Sequence, residues 1–223
     1  MRRKPRSANS PEPSIVVLIS GRGSNLQAIL DAHLPCQVAA VISNRTDAPG
    51  LEIARQHGIA THVVPHRDHA DRASFDAALA REIERHQPNF VVLAGFMRIL
   101  TPEFVAHYHG RLINIHPSLL PAYAGLHSHE RALADGAKIH GCTVHFVTSD
   151  LDHGPIIIQA AVPVLQSDTT KTLSARVLRE EHRIYPQAIR WLCNNQVVLN
   201  EDNRVKFNLL EQPPPALISP GLE

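Results

Sequence analysis

Ile15-Val16-Val17-Leu18-Ile19-Ser20-Gly21-Arg22-Gly23-Ser24-Asn25-Leu26-Gln27-Ala28-Ile29-Leu30 decides how the rest of the chain is read. Its first five residues form an unbroken apolar run, the pattern of a strand buried on both faces. A Gly-rich turn follows. Leu26, Ile29 and Leu30 then fall on one side of a helix, which Ser24 or Asn25 is suited to cap. The alternation repeats downstream. Residues 38–42 read as a strand, and Pro49 opens a helix bearing Leu51, Ile53 and Ala54, with Gly58 at its C-terminal end. Residues 61–64 read as a third strand, 75–86 as a helix with Leu79 and Ile83 inward, stopped before Pro88, and 90–93 as a fourth strand. Strand–helix–strand at this spacing implies right-handed crossovers and a parallel sheet covered on both faces.

The second half is denser in strand signals, at 112–115, 143–147 and 156–160, and closes with a long helical pattern over 173–194. No internal repeat or linker interrupts it. The expectation is one α/β domain over 15–200, Rossmann-like, with a mixed, mostly parallel sheet and helices on both faces. A flexible basic tail (1–14, with Arg2, Arg3, Lys4 and Arg6) precedes it. An extension (201–223) ending in Pro213, Pro214, Pro215 and Pro220 follows.

With 22 Lys and Arg against 21 Asp and Glu, the formal net charge is +1, so no long-range field exists for gripping nucleic acid. Any recognition has to be local. Cys36, Cys142 and Cys193 are odd in number and far apart, which fits a reducing compartment better than a disulfide framework or a CxxC metal site. No apolar run approaches the ~18 residues of a membrane span, and residues 15–19 are too short for the apolar segment of a secretory signal. A cytoplasmic protein acting on small molecules, without a nucleic-acid or membrane partner, is the expectation.

Gly21-Arg22-Gly23-Ser24-Asn25 lies between the first strand and its helix, where free backbone N–H groups and the positive end of a helix dipole receive an anion. The same residues would also serve as a tight turn with no ligand. The third glycine of a dinucleotide fingerprint would fall at Leu26, no carboxylate follows the second strand at Ser43 and Asn44, and no P-loop lysine is present. A pocket for one phosphate ester fits these details best.

In Leu112-Ile113-Asn114-Ile115-His116-Pro117, extended backbone puts Asn114 and His116 on one face and Ile113 and Ile115 on the other. Pro117 biases His116 toward that extended geometry. A catalytic pair and a merely satisfied polar pair are equally compatible with this spacing. Asp152, in the turn Leu151-Asp152-His153-Gly154-Pro155, would hold an imidazolium if it met His116, though an Asp in a turn is commonly only a turn residue. Among the fifteen histidines, His107, His109, His127 and His129 form close pairs without complementary Cys or carboxylates, so no metal is expected.

These stretches, in this order, carry a resemblance. Val17-Leu18-Ile19-Ser20-Gly21-Arg22-Gly23-Ser24-Asn25-Leu26, Val91-Val92-Leu93-Ala94-Gly95-Phe96-Met97-Arg98-Ile99-Leu100, Asn114-Ile115-His116-Pro117-Ser118-Leu119-Leu120-Pro121, Gly141-Cys142-Thr143-Val144-His145-Phe146-Val147 and Leu151-Asp152-His153-Gly154-Pro155 are similar to motifs of the folate-dependent phosphoribosylglycinamide formyltransferases. The resemblance runs over about 15–199. It implies that 10-formyltetrahydrofolate is the formyl donor and the amine of glycinamide ribonucleotide the acceptor. It implies Asn114, His116 and Asp152 as the catalytic trio and Gly23, Ser24 and Asn25 as the holders of the substrate phosphate. Glu181, in Glu181-His182-Arg183-Ile184-Tyr185-Pro186, would contact the ribonucleotide. Arg72, Met97, Arg98, Ile99 and Leu100 would contact the folate, with Thr148, Ser149, Asp150 and Leu151 forming the opposite wall of its pocket. No metal is implied, and the protein would act as a monomer or homodimer.

The chain departs from the family pattern at His153, where a glycine is common, and at Ala122 and Ala124, where lysine and proline are frequent beside a mobile 121–125 loop. His153 would tighten or tilt the folate loop. Two related activities compete: a methionyl-tRNA formyltransferase, which would want a C-terminal RNA-binding domain and a basic surface, and a formyltetrahydrofolate hydrolase, which would want an N-terminal regulatory domain and no phosphate loop. A non-catalytic phosphate-ester binding module would explain residues 21–25 and leave Asn114, His116 and Asp152 without a purpose.

Overall fold

The structure is a computed structural model that describes residues 12–208. The basic residues of the N-terminal tail and the Pro-rich end lie outside the described residues. The chain runs β1 (Ser14–Ile19), α1 (Ser24–Asp31), β2 (Gln37–Ser43), α2 (Gly50–Gln56), β3 (Thr61–Val63), α3 (Arg72–Glu84), β4 (Phe90–Leu93), α4 (Pro102–His107), β5 (Leu112–His116), α5 (Ser128–Ala134), β6 (Ile139–Phe146), β7 (Ile156–Pro163), α6 (Thr170–Cys193), β8 (Val197–Leu199) and β9 (Val205–Phe207). Seven strands form one sheet in the order β3-β2-β1-β4-β5-β6-β7, and β8 and β9 pair as a separate hairpin. Pairing is parallel from β3 to β5 and antiparallel from β5 to β7.

The two-residue period of β1 sorts its side chains between two cores. Ile15, Val17 and Ile19 join Leu26 and Ile29 of α1, Leu51 of α2 and the inward face of α6. Val16 and Leu18 join Phe75, Leu79 and Ile83 of α3 and Phe104 and Val105 of α4. Every β1 residue from Ile15 to Ile19 is fully buried, each stabilising the fold by about 1.5–3 kcal/mol. This double burial is why the strand reads as a continuous apolar run.

Expected and observed elements differ in instructive places. Helix α1 is capped by neither Ser24 nor Asn25: Gly23, at φ 80°, is its N-cap and no side chain caps it. Strand β6 begins upstream of the expected 143, at Ile139, because a glycine at 141 and polar neighbours dilute the β signal. Gly141 is required there, since a Cβ would overlap the Ala160 carbonyl of β7. Helices α4 and α5 and the β8–β9 hairpin were not read from the sequence. They are short, and α4 is set by tertiary ties: Thr101 Oγ1 accepts from Phe104 N at 3.3 Å while its own N–H donates to buried Asp76 at 2.6 Å.

Candidate active site

Strand order reverses around β1: β2 and β3 lie on one side, β4 and β5 on the other. The crevice beyond the carboxyl ends of β1 and β4 is where an open α/β sheet receives ligands. Ser20 holds the loops of this crevice together. Its Oγ donates to Asn44 Oδ1 at 2.6 Å and accepts from Met97 N at 2.7 Å, so the loops after β1, β2 and β4 share one buried hydroxyl.

The Gly21–Asn25 loop, expected to hold a phosphate, follows β1. Gly23 Cα lies against Gly50, so that a Cβ on Gly23 would come within 2.7 Å of Gly50 Cα. Left-handed backbone and this close approach together require glycine. Because no side chain caps α1, its first N–H groups remain unclaimed and available to an anion. Asn25 contributes differently from the rest. Its Nδ2 donates to Glu181 Oε2 of α6 at 2.8 Å, and its Oδ1 is buried without a partner. The amide is thus committed to Glu181 on one side and offers a bare acceptor on the other, leaving only its backbone N–H for a phosphate. Burial pushes the Glu181 carboxyl above its usual range, partly countered by the Asn25 hydrogen bond.

The trio assembles around β5, where the sheet changes from parallel to antiparallel. Asn114 lies opposite His145 of β6, and Asn114 Nδ2 is 3.3 Å from His145 Nε2. His145 Nδ1 is 2.9 Å from the Phe146 carbonyl, which can only accept, so Nδ1 carries the proton and Nε2 the lone pair. Burial holds the His145 pKa below the ordinary histidine value, consistent with this neutral tautomer. One Asn114 N–H is therefore pinned on His145, and the amide is oriented with N–H, not C=O, on that side.

Asp152 reaches the same place from a turn. Its φ is +54°, a left-handed conformation that Asp tolerates better than most residues. Its Oδ2 lies 3.3 Å from His116 Nδ1, both side chains 9% exposed, and its Oδ1 is 3.9 Å from His145 Nε2. Gly154 permits the turn to lie on the sheet, since a Cβ there would overlap the Phe146 carbonyl. The 121–125 loop lies over the pair: the Tyr123 carbonyl accepts from His116 Nε2 at 3.1 Å and Gly125 N donates to Asp152 Oδ2 at 2.8 Å. Both His116 nitrogens are thus engaged. Ala122 and Ala124 take part through their carbonyls, which accept from Ser118 Oγ and Arg131 respectively at 2.7 Å, so the loss of lysine and proline side chains leaves the loop's ties intact.

The residues expected to contact folate fall on three separate segments, the loop after β4, the loop after β6 and the start of α3. Met97, Ile99 and Leu151 are 71%, 60% and 55% exposed, apolar side chains left open to solvent. Leu100 packs on the core cluster that also contains Phe96. Met97 and Arg98 line a cleft of about 620 Å³ with Ser20, Asn44, His66 and Arg67, and the Arg98 guanidinium lies 5.7 Å over the Phe75 ring. Thr148 Oγ1 donates to the Asp150 carbonyl at 3.2 Å, while Ser149 and Asp150 are exposed. Arg72 is exposed in the first turn of α3. His153 stays outside the site with its Nδ1 2.8 Å from the Leu151 carbonyl, tying the turn locally.

Sequence reasoning missed the Ser20–Asn44 clasp, the pairing of His145 with Asn114, and the Tyr123 and Gly125 backbone contacts. His145 carries a signal once strand register is known, because it sits directly across from Asn114. Backbone contacts carry none.

Residues 14–189 match the family model described as formyl transferase. The phosphoribosylglycinamide formyltransferase of Escherichia coli is 53% identical over 193 residues, 85% of this chain and 91% of that protein. The human trifunctional purine biosynthetic protein adenosine-3 is 45% identical over 195 residues, which span 86% of this chain but 19% of the larger protein. Among solved structures, the phosphoribosylglycinamide formyltransferase of Coxiella burnetii superposes with a TM-score of 0.85 at 49% identity, covering 88% of this chain and 93% of that one.

Proposed function

The chain belongs to the formyl transferase family, and from that premise we propose that it transfers the formyl group of 10-formyltetrahydrofolate to the primary amine of glycinamide ribonucleotide, a step of purine biosynthesis. The observation that carries this reading is the meeting of Asn114, His116 and Asp152, with Asp152 Oδ2 3.3 Å from His116 Nδ1, at the same edge of the sheet as the glycine loop before the uncapped helix α1.

The acceptor's phosphate sits on the N–H groups of Gly23, Ser24 and Asn25. Asn25 Oδ1, buried and without a partner, and the Glu181 carboxyl accept from the donors of the ribonucleotide. The folate lies along the rim between Met97, Arg98, Ile99 and Leu100 and Thr148–Leu151, with Arg72 toward its outer end. The amine lone pair attacks the formyl carbon. The C=O bond opens, and negative charge gathers on the formyl oxygen. The second Asn114 N–H and the His116 Nε2–H receive that charge. In the present conformation Nε2 faces the Tyr123 carbonyl, so His116 becomes a donor to the oxyanion when the 121–125 loop gives up this contact, while Nδ1 keeps Asp152. The amine loses a proton, which passes by way of Asp152 and water to the folate nitrogen as the C–N bond to folate breaks. The substrate amine is itself the nucleophile, so the reaction requires neither a serine or cysteine nor a metal-activated water.

Purified protein converts 10-formyltetrahydrofolate to tetrahydrofolate only when glycinamide ribonucleotide is added. Asn114→Ala and Asp152→Ala each lose about 10²–10³ in kcat with KM little changed. Near-wild-type turnover in both variants sinks the assignment of roles, and turnover that ignores the ribonucleotide sinks the acceptor.

A further inference from the structure

The edge of the sheet opposite β7 carries a cluster that formyl transfer does not use. His62 lies in β3, four strand spacings, about 19 Å, from β5. Glu82 is in the last turn of α3 and His86 follows four residues later, so both face the same side. Glu82 Oε1 is 2.9 Å from His62 Nδ1 and 3.7 Å from His86 Nε2. All three donor atoms lie within 4.8 Å of one another, and the two rings are tilted at 57° with centroids 5.0 Å apart.

The state of these atoms is unusual. His86 Nε2 is shut off from solvent and makes no hydrogen bond, and Glu82 Oε1, equally buried, has only the 2.9 Å contact with His62, which is not aligned as a hydrogen bond. Buried polar atoms are rarely left so, because each costs about 1–3 kcal/mol. The other Glu82 oxygen accepts from Arg85 at 3.0 Å, which turns Oε1 toward the two rings. Two imidazole nitrogens and one carboxylate oxygen are a donor set that zinc takes, with a fourth position left for water. Bonds of about 2.0–2.1 Å in a tetrahedron place donors about 3.4 Å apart. The observed 2.9 and 3.7 Å bracket that value.

We propose that His62, Glu82 and His86 bind one divalent transition-metal ion of the zinc class, fastening the C-terminal end of α3 to edge strand β3. The site is structural and independent of formyl transfer. Hard cations such as Mg²⁺, which prefer octahedral oxygen sets, are poor occupants.

The test uses the full chain, equilibrated with Zn²⁺, passed through gel filtration and analysed for metal. One zinc per chain is expected, with a Tm rise of about 5 °C or more at saturating Zn²⁺, reversed by EDTA and absent with Mg²⁺. Co²⁺ in its place gives tetrahedral visible absorption without a thiolate charge-transfer band, a measurement that needs no variant. Glu82→Gln and His86→Gln each weaken zinc binding by at least about 100-fold while leaving formyl transfer unchanged, and His116→Ala keeps the zinc. No retained zinc and no Tm shift in the wild-type chain overturns the proposal, as does undiminished binding in the Glu82→Gln and His86→Gln variants, which places the ion elsewhere.

Discussion

Replacing His145 with Phe tests whether the structure explains how Asn114 is aimed. The Asn114 amide is held by one hydrogen bond of 3.3 Å to His145 Nε2, at the long end of the useful range. A neutral hydrogen bond is worth about 0.5–1.5 kcal/mol, and this length argues for the lower half. Without it the amide can rotate by half a turn and present its oxygen, not its N–H, to the developing negative charge. His145→Phe is therefore expected to lower kcat by about 2–5-fold with both KM values unchanged, far less than the 10²–10³ for removing an oxyanion donor outright. The informative measurement is the double-mutant cycle by steady-state kinetics. If His145 acts through Asn114, adding His145→Phe to Asn114→Ala costs nothing further, and the coupling equals the whole single-mutant effect. His145→Gln, which keeps an acceptor, recovers part of the rate. The substitution also strips the Phe146 carbonyl of its partner, so rates are compared well below each variant's Tm. Multiplicative losses in the double mutant refute the positioning role, as does a raised KM with kcat intact.

Two further outcomes follow from the geometry. Gly23→Ala combines left-handed strain of about 1–2 kcal/mol with a 2.7 Å approach to Gly50 Cα. Denaturant titration should show at least about 2 kcal/mol lost, and kinetics a KM for the ribonucleotide raised while that for folate stays; Gly21→Ala, whose Cβ meets nothing within 4 Å, is the control and remains near wild type. Burial, with His129 nearby, depresses the His140 pKa to about 4 from an ordinary 6.5, and burial lowers His129, His145 and His182 as well. His140 then binds more protons unfolded than folded across this interval, and the other three act in the same direction, so stability is full above pH 6.5 and falls as pH drops toward 4. His140→Gln should remove up to about 3 kcal/mol of that fall, read as a flatter plot of unfolding free energy against pH; an unchanged slope contradicts the assignment.

What the sequence revealed and what it concealed divide along physical lines. Strands buried on both faces must be apolar throughout, so residues 15–19 and 90–93 announced themselves, and β4 was bounded correctly. The polar face of β5 was legible for the complementary reason: alternation shows wherever one face of a strand carries chemistry. Short helices carry too few residues to fix a period, and α4 depends on Asp76 and Thr101, 25 residues apart. Contacts between distant segments left even less trace. Asn25 and Glu181 are 156 residues apart, and each on its own is an ordinary polar residue on a helix. Only the fold makes them one unit, and it changes the part Asn25 plays: the side chain expected on a phosphate is spent on a carboxylate.

Asp152 shows why local and long-range readings of one residue need not compete. Turn chemistry favours Asp at left-handed positions, and this one sits at φ +54°. Catalysis favours a carboxylate beside His116, and its Oδ2 is 3.3 Å away. The turn is what delivers the carboxylate: β6 runs away from the Asn114–His116 end of β5, so a residue leaving β6 has to double back sharply to reach it. A Gly at 152 would make the turn more easily but bring no charge; a Glu would bring charge at the end of a longer side chain and tolerate the backbone less well. Asp meets both demands. Gly154 then allows the returning segment to lie directly on the Phe146 carbonyl, which fixes how far over His116 the carboxylate can reach. The neighbouring His153 takes no part in that placement, its ring occupied by the Leu151 carbonyl, and so the departure from glycine at that position leaves the trio's geometry in place.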